Sequence, residues 1–144
     1  MRCHAGGRAS AVATTLRGPS LYAIANRPFW VVEVGVYNTT DVEFVANLKR
    51  LTATGTQGAD VEEWSADSDV YVPAITAKNT HTADATVQTG EAGRAMLGAA
   101  KGAGNIWTFG KNGLYVPPGT GNGMGILCPT GVGQLFDFYW IWDE

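Results

Sequence analysis

The stretch GQLFDFYWIWDE, residues 133 to 144, constrains the fold more than any other part of the chain. Side chains along a strand alternate between two faces. Phe136, Phe138, Trp140 and Trp142 therefore share one face, and Leu135, Asp137, Tyr139, Ile141 and Asp143 share the other. A strand with one face in water alternates apolar with polar residues, whereas here both faces are largely apolar up to Asp143 and Glu144. Such a strand belongs in the middle of a sheet, with one face packed on an opposing sheet and the other covered from outside. Two covers satisfy that requirement: a second copy of the chain, or long loops of its own. The first is the expectation, and it makes the chain a cyclic homo-oligomer, with a trimer expected because homotrimers of jelly rolls bury inner-sheet aromatics around a threefold axis in this manner. The interface residues expected on this reading are Phe136, Phe138, Tyr139, Trp140, Ile141 and Trp142.

Strand periodicity recurs elsewhere. FWVVEVGVYN (29 to 38) is rich in β-branched residues, and DVEFVANLKR (41 to 50) alternates Val42, Phe44, Ala46 and Leu48 against polar neighbours. The turn-like NTTD between them predicts an antiparallel hairpin. Further strands are expected at 9 to 16 and 20 to 26, around the turn Arg17-Gly18-Pro19, at 69 to 75, and more weakly at 80 to 90. Residues 52 to 69 read as a long loop with Trp64 tucked down. NIWTF, LYVP and MGILCP, separated by GKNG, PGTGNG and TGVG, predict a closing meander that ends in the terminal strand.

The one helix candidate, EAGRAMLGAAKGAG (91 to 104), contains glycines that each cost about 1 kcal/mol relative to alanine, which leaves room for one short turn. The expected fold is thus all-β: an antiparallel β-sandwich of jelly-roll type, with an up-and-down barrel as the alternative. A single domain over residues 9 to 144 follows a flexible segment, residues 1 to 8.

Composition excludes several functions. The 10 Lys and Arg are scattered, the net charge is −3, and no basic stripe points to nucleic acid. The N-terminus lacks a continuous apolar stretch, and no run approaches the ~18 apolar residues of a spanning helix, so neither secretion nor membrane insertion is expected. Cys3 and Cys128 read as unpaired thiols of a reducing cytoplasm. His4 and His81 read as sitting in polar, flexible surroundings, with no second histidine or cysteine at ligand spacing, and no metal site is expected of them.

The acidic stretch DVEEWSADSD (60 to 69) lacks the glycine and the terminal glutamate of a calcium loop. GTGNGMG (119 to 125) leads into a strand where a dinucleotide loop would open a helix, and so reads as a hairpin loop. Asn38-Thr39-Thr40 matches a glycosylation acceptor but reads as a turn. No catalytic constellation, cofactor site or metal site is expected, and the chain is not read as an enzyme.

The N-terminal MRCHAGGRASAVATT is followed by Arg27-Pro28 and by Glu33-Val34-Gly35-Val36-Tyr37-Asn38. Ile106-Trp107-Thr108-Phe109 and Gly113 to Pro117 come next, and an aromatic strand capped by Asp143-Glu144 closes the chain. This order of landmarks resembles a group of small virion proteins of tailed bacteriophages. The resemblance implies a β-sandwich, made in the host cytoplasm, that decorates or cements the capsid surface as a trimer by contacting the major capsid protein. It carries over no catalytic residue. Under it, residues 1 to 8, with Arg2 and Arg8, are expected to form an arm that orders on the capsid. The rival is a receptor- or carbohydrate-binding module of a tail or collar, with Trp64, Tyr71 or Tyr115 as stacking platforms.

Overall fold

The computed structural model describes residues 1 to 13 and 18 to 144. Its strands are β1 (Arg2–Val12), β2 (Ser20–Tyr22), β3 (Phe29–Asn38), β4 (Phe44–Ala53), β5 (Asp60–Val61), β6 (Glu63–Ser65) and β7 (Thr76–Lys78). They continue as β8 (Thr86–Val87), β9 (Gly93–Leu97), β10 (Gly104–Thr108), β11 (Leu114–Val116), β12 (Gly123–Leu127) and β13 (Val132–Asp143). No helix occurs among the described residues.

Two antiparallel sheets pack face to face as a β-sandwich. The first runs β10-β3-β13-β1-β6, with β11 also on β3; the second runs β5-β7-β2-β12-β4-β8, with β9 also on β4.

β13 is central in the first sheet, between β1 and β3. Its rings, however, do not form an interface between copies. Phe136, Trp140 and Trp142 are wholly buried and Phe138 nearly so, all turned toward the second sheet. There Phe136 meets Phe44 with ring centroids 5.5 Å apart. Burial of each such ring contributes about 2–3 kcal/mol, so this row is the domain's own core. Of the interface residues expected from sequence, only Tyr139 and Ile141 lie on the outer face, half-buried.

The segment 1 to 8, expected to be flexible, is instead paired strand, in register with β13 from Arg2↔Asp143 to Ala9↔Phe136. Its small residues had suggested mobility, but they have a packing reason. Cys3, Ala5, Ala9 and Ala11 are the buried positions of β1, and their short side chains leave the space that the large rings of β13 fill.

The expected hairpin of residues 29 to 50 is also absent, because β3 and β4 belong to different sheets. Asn38 turns the corner between them. Its buried side chain donates to the carbonyls of Val42 (2.8 Å) and Gly98 (3.0 Å) and accepts from the Thr40 amide (2.9 Å). The closing meander is likewise replaced by strands that change sheet, β11 in the first, β12 in the second and β13 in the first again, so GTGNGMG crosses between sheets.

Residues 69 to 75 form no strand. Val70 and Val72 point into water, and the backbone of Ala74 and Ile75 is held by a side chain instead of a ladder. The helix turn allowed in 91 to 104 is replaced by β9, whose ladder with β4 satisfies its backbone. Part of the strand expected at 9 to 16 and of the turn at Arg17 lies outside the described residues.

Candidate functional site

The outer face of the first sheet carries the most distinctive surface. Register places Gly6, Tyr139, Gly35 and Ile106 in one row across four strands. The Tyr139 ring lies flat over Gly35, where a Cβ would overlap its ring carbons. Its hydroxyl donates to Glu33 Oε1 at 2.6 Å. Burial, then the bond to the Glu33 carboxylate, pushes the Tyr139 phenol above its usual range, which keeps it a neutral donor. Tyr37 stacks beside it at 6.4 Å, and Leu135 and Ile106 extend the apolar strip.

Two bidentate ion pairs stand on the same face. Arg8 donates through Nε and Nη2 to Asp137 (2.7 and 3.0 Å), and Arg2 does so to Asp143 (3.0 and 2.9 Å). The Arg8 guanidinium holds the Asp137 carboxyl below its usual range. Arg2 and Arg8 are thus partnered residues of a central strand. The strip is apolar around Tyr139 and Ile141, is interrupted by the Arg8–Asp137 pair between Leu135 and Tyr139, and is closed by Arg2–Asp143 at its end, a mixed apolar and charged surface suited to binding a partner.

Gly35 is the position on which this strip depends. Gly35→Ala is expected to lift the Tyr139 ring, break its bond to Glu33 and cost about 1–3 kcal/mol in a thermal or denaturant melt. Adding Tyr139→Ala should restore part of that loss, because the overlap disappears with the ring.

A second feature lies at the β6 edge of this sheet. A cleft of about 360 Å³ is lined by Trp64, Ser65, Ser68, Asp69, Tyr71 and Pro73, among others. Trp64 is not tucked down but 56% exposed, stacked on His4 with centroids 4.6 Å apart and planes 20° from parallel.

The far wall is held by Glu144. Its fully enclosed carboxylate accepts from Tyr71 Oη (2.6 Å), the Ala74 and Ile75 amides (2.7 and 3.1 Å) and Trp142 Nε1 (2.9 Å). Arg27 Nη1 donates to Glu144 Oε1, the oxygen that Tyr71 also reaches, at 3.4 Å and to Tyr71 Oη at 2.6 Å. Burial alone would raise the Glu144 carboxyl, but these donors outweigh it and hold it below its usual range.

The histidines are not in polar, flexible surroundings. His81 is buried, with Nε2 2.7 Å from the equally buried Ser20 Oγ. Burial lowers its pKa, opposed by the Thr54 backbone, which approaches the ring without forming a hydrogen bond of good geometry. A serine beside a histidine suggests a nucleophile and its base, but a pair enclosed on all sides ties β2 to the 80s loop and presents nothing to a substrate.

Cys3 and Cys128 are buried free thiols, both pushed up to about 12, chiefly by burial. Among the described residues, no group of three or more His, Cys, Asp and Glu is disposed to hold a metal, and no helix is long and apolar enough to cross a membrane. In the acidic stretch, Asp60 pairs with Lys78, and Glu63 Oε1 accepts the Ala77 amide at 2.6 Å.

Glu33, Glu144 and the His4–Trp64 stack had not been singled out from sequence. A glycine inside a strand, as at Gly35, signals close approach by another group and offered the one usable pointer to the first of them. Compared with protein families, characterised proteins and solved structures, the chain matches none.

Proposed function

We propose that the chain is a virion structural protein of a tailed bacteriophage that decorates the capsid and stabilises it by binding its outer surface as a homo-oligomer. The observation that carries this reading is the outer face of the first sheet, where Tyr37, Leu135, Tyr139 and Ile141 on the central strands β3 and β13, with Ile106 on the edge strand β10, form a partly exposed strip. Its shape is set before binding: Tyr139 is fixed by Gly35 and Glu33, and the arginines are fixed by their aspartates. A surface already ordered loses little entropy on docking.

The strip is covered by neighbouring copies, three around one axis, and by the major capsid protein, with the Arg8–Asp137 pair inside the contact and the Arg2–Asp143 pair at its end. This differs from the mobile arm expected from sequence, since the arginines now act from a rigid strand. Stabilisation follows from mass action, because a protein that binds assembled shell better than free subunits shifts the equilibrium toward the shell. The order of sequence landmarks shared with small phage virion proteins supports the same reading. Heat challenge of particles with and without this protein tests it. Particles that carry it should retain their DNA to a higher temperature, and equal retention would remove the role.

A further inference from the structure

We propose that the cleft at the β6 edge is a saccharide-binding site that takes neutral or amino-bearing pyranose units. The inference does not rest on the capsid reading. The cleft opens at the sheet's edge, two strand spacings or roughly 10 Å from β13.

Three features of the cleft point to this ligand class. The first is an indole held flat. With one face of Trp64 against His4, the other is presented to solvent, and at 56% exposure it offers an apolar platform that the C–H face of a pyranose covers without demanding a hydrogen bond. The stack also restricts the ring before any ligand arrives. The second is a fixed opposite wall, since Tyr71 is tethered by Glu144 and Arg27.

The third is the polarity of the lining. Ser65 Oγ accepts from the Asp67 and Ser68 amides at 3.2 Å each, and Ser68 Oγ accepts from the Val70 amide at 3.2 Å. These bonds draw on the acceptor capacity of both oxygens and leave their hydroxyl protons unspent, available to a ligand in the cleft. Asp69 adds a carboxylate acceptor, and among the described residues no Lys or Arg lines the cleft, Arg27 standing behind Tyr71 with its charge met by Glu144. Hydroxyls and amines of a sugar satisfy such groups, whereas a sialic or uronic acid would be repelled. At 360 Å³ the cleft sits at the low end of the ~300–1,000 Å³ of small-molecule sites, the scale of a mono- or disaccharide unit.

The test is titration of the purified full chain with maltotriose, the N-acetylglucosamine trimer, the glucosamine trimer and 3′-sialyllactose, followed by saturation-transfer NMR and tryptophan fluorescence. At least one of the first three should bind with a dissociation constant below about 10 mM, and 3′-sialyllactose should not. Trp64→Ala should weaken that binding by about tenfold or more while the melting temperature stays near wild type. Met96→Ala, at an exposed apolar side chain on the second sheet, should leave binding unchanged. Absence of binding by all three, equal binding of 3′-sialyllactose, or full binding by Trp64→Ala would each overturn the assignment. Failure of the capsid reading leaves these outcomes untouched, because no particle enters the assay.

Discussion

Trp140→Asp is expected to leave the chain without a cooperative unfolding transition. Trp140 is wholly enclosed between the two sheets, at the centre of the row Phe136, Phe138, Trp140 and Trp142. The substitution removes the ring, leaves a cavity worth about 3–5 kcal/mol and places a carboxylate where nothing pairs with it. Together these costs reach the whole stability of a domain, about 5–15 kcal/mol. Trp140→Phe is the control. Among the described residues the Trp140 indole N–H has no partner, so its loss breaks no hydrogen bond there and volume is what is sacrificed. Circular dichroism melts should show a folded Phe variant, lowered by several degrees, beside an unfolded Asp variant. A folded Asp variant would mean that the row is not the core.

The second large effect belongs to Glu144. Glu144→Ala strips the acceptor from Tyr71, Trp142 and the Ala74 and Ile75 amides at once. Hydrogen bonds to a charged group contribute about 1.5–3 kcal/mol each, and with water partly replacing the carboxylate a net loss of about 3 kcal/mol is expected. Glu144→Gln keeps an acceptor oxygen and should lose less.

The pH dependence follows from the sign of the shift. The folded carboxyl lies below its ordinary 4.5, so the unfolded chain binds more protons in that window. Its contribution is present above pH 4.5 and is lost as pH falls through the folded value. His81, buried and lowered from 6.5, adds an earlier loss that begins as pH falls below 6.5, because the unfolded ring charges first. Denaturant melts across pH should therefore show two descending limbs in the wild type and, in Glu144→Gln, only the upper one at full size.

The fold class was legible because strand periodicity and glycine-rich turns are local signals, and the central position of β13 followed from its two apolar faces. Which face met the core was not legible. Alternation shows that two sets of side chains exist, but the choice between them depends on the small residues of β1, which lie at the opposite end of the sequence. Asn38 shows the same limit. NTTD looks like a hairpin turn, and only the distant carbonyl of Gly98 reveals that the asparagine is bent into a corner.

Glu144 read as a polar stop, since nothing local shows a carboxylate folding back onto residues 71 to 75. The outer strip depends on pairs such as Tyr139 with Gly35, brought together by register across strands far apart in sequence. The candidate site was accordingly legible only as isolated residues: Tyr139 and Ile141 on the strip, and Trp64 and Tyr71 at the cleft.

The central claim is that this chain works by burying the outer face of its first sheet against copies of itself and a capsid. A cryo-EM map of the particle tests it most directly. The account predicts many copies at symmetry-related positions on the shell, with Tyr139 and Ile141 enclosed at contacts. A few copies at the tail or collar, or shell-bound copies with that face open to solvent, would contradict it.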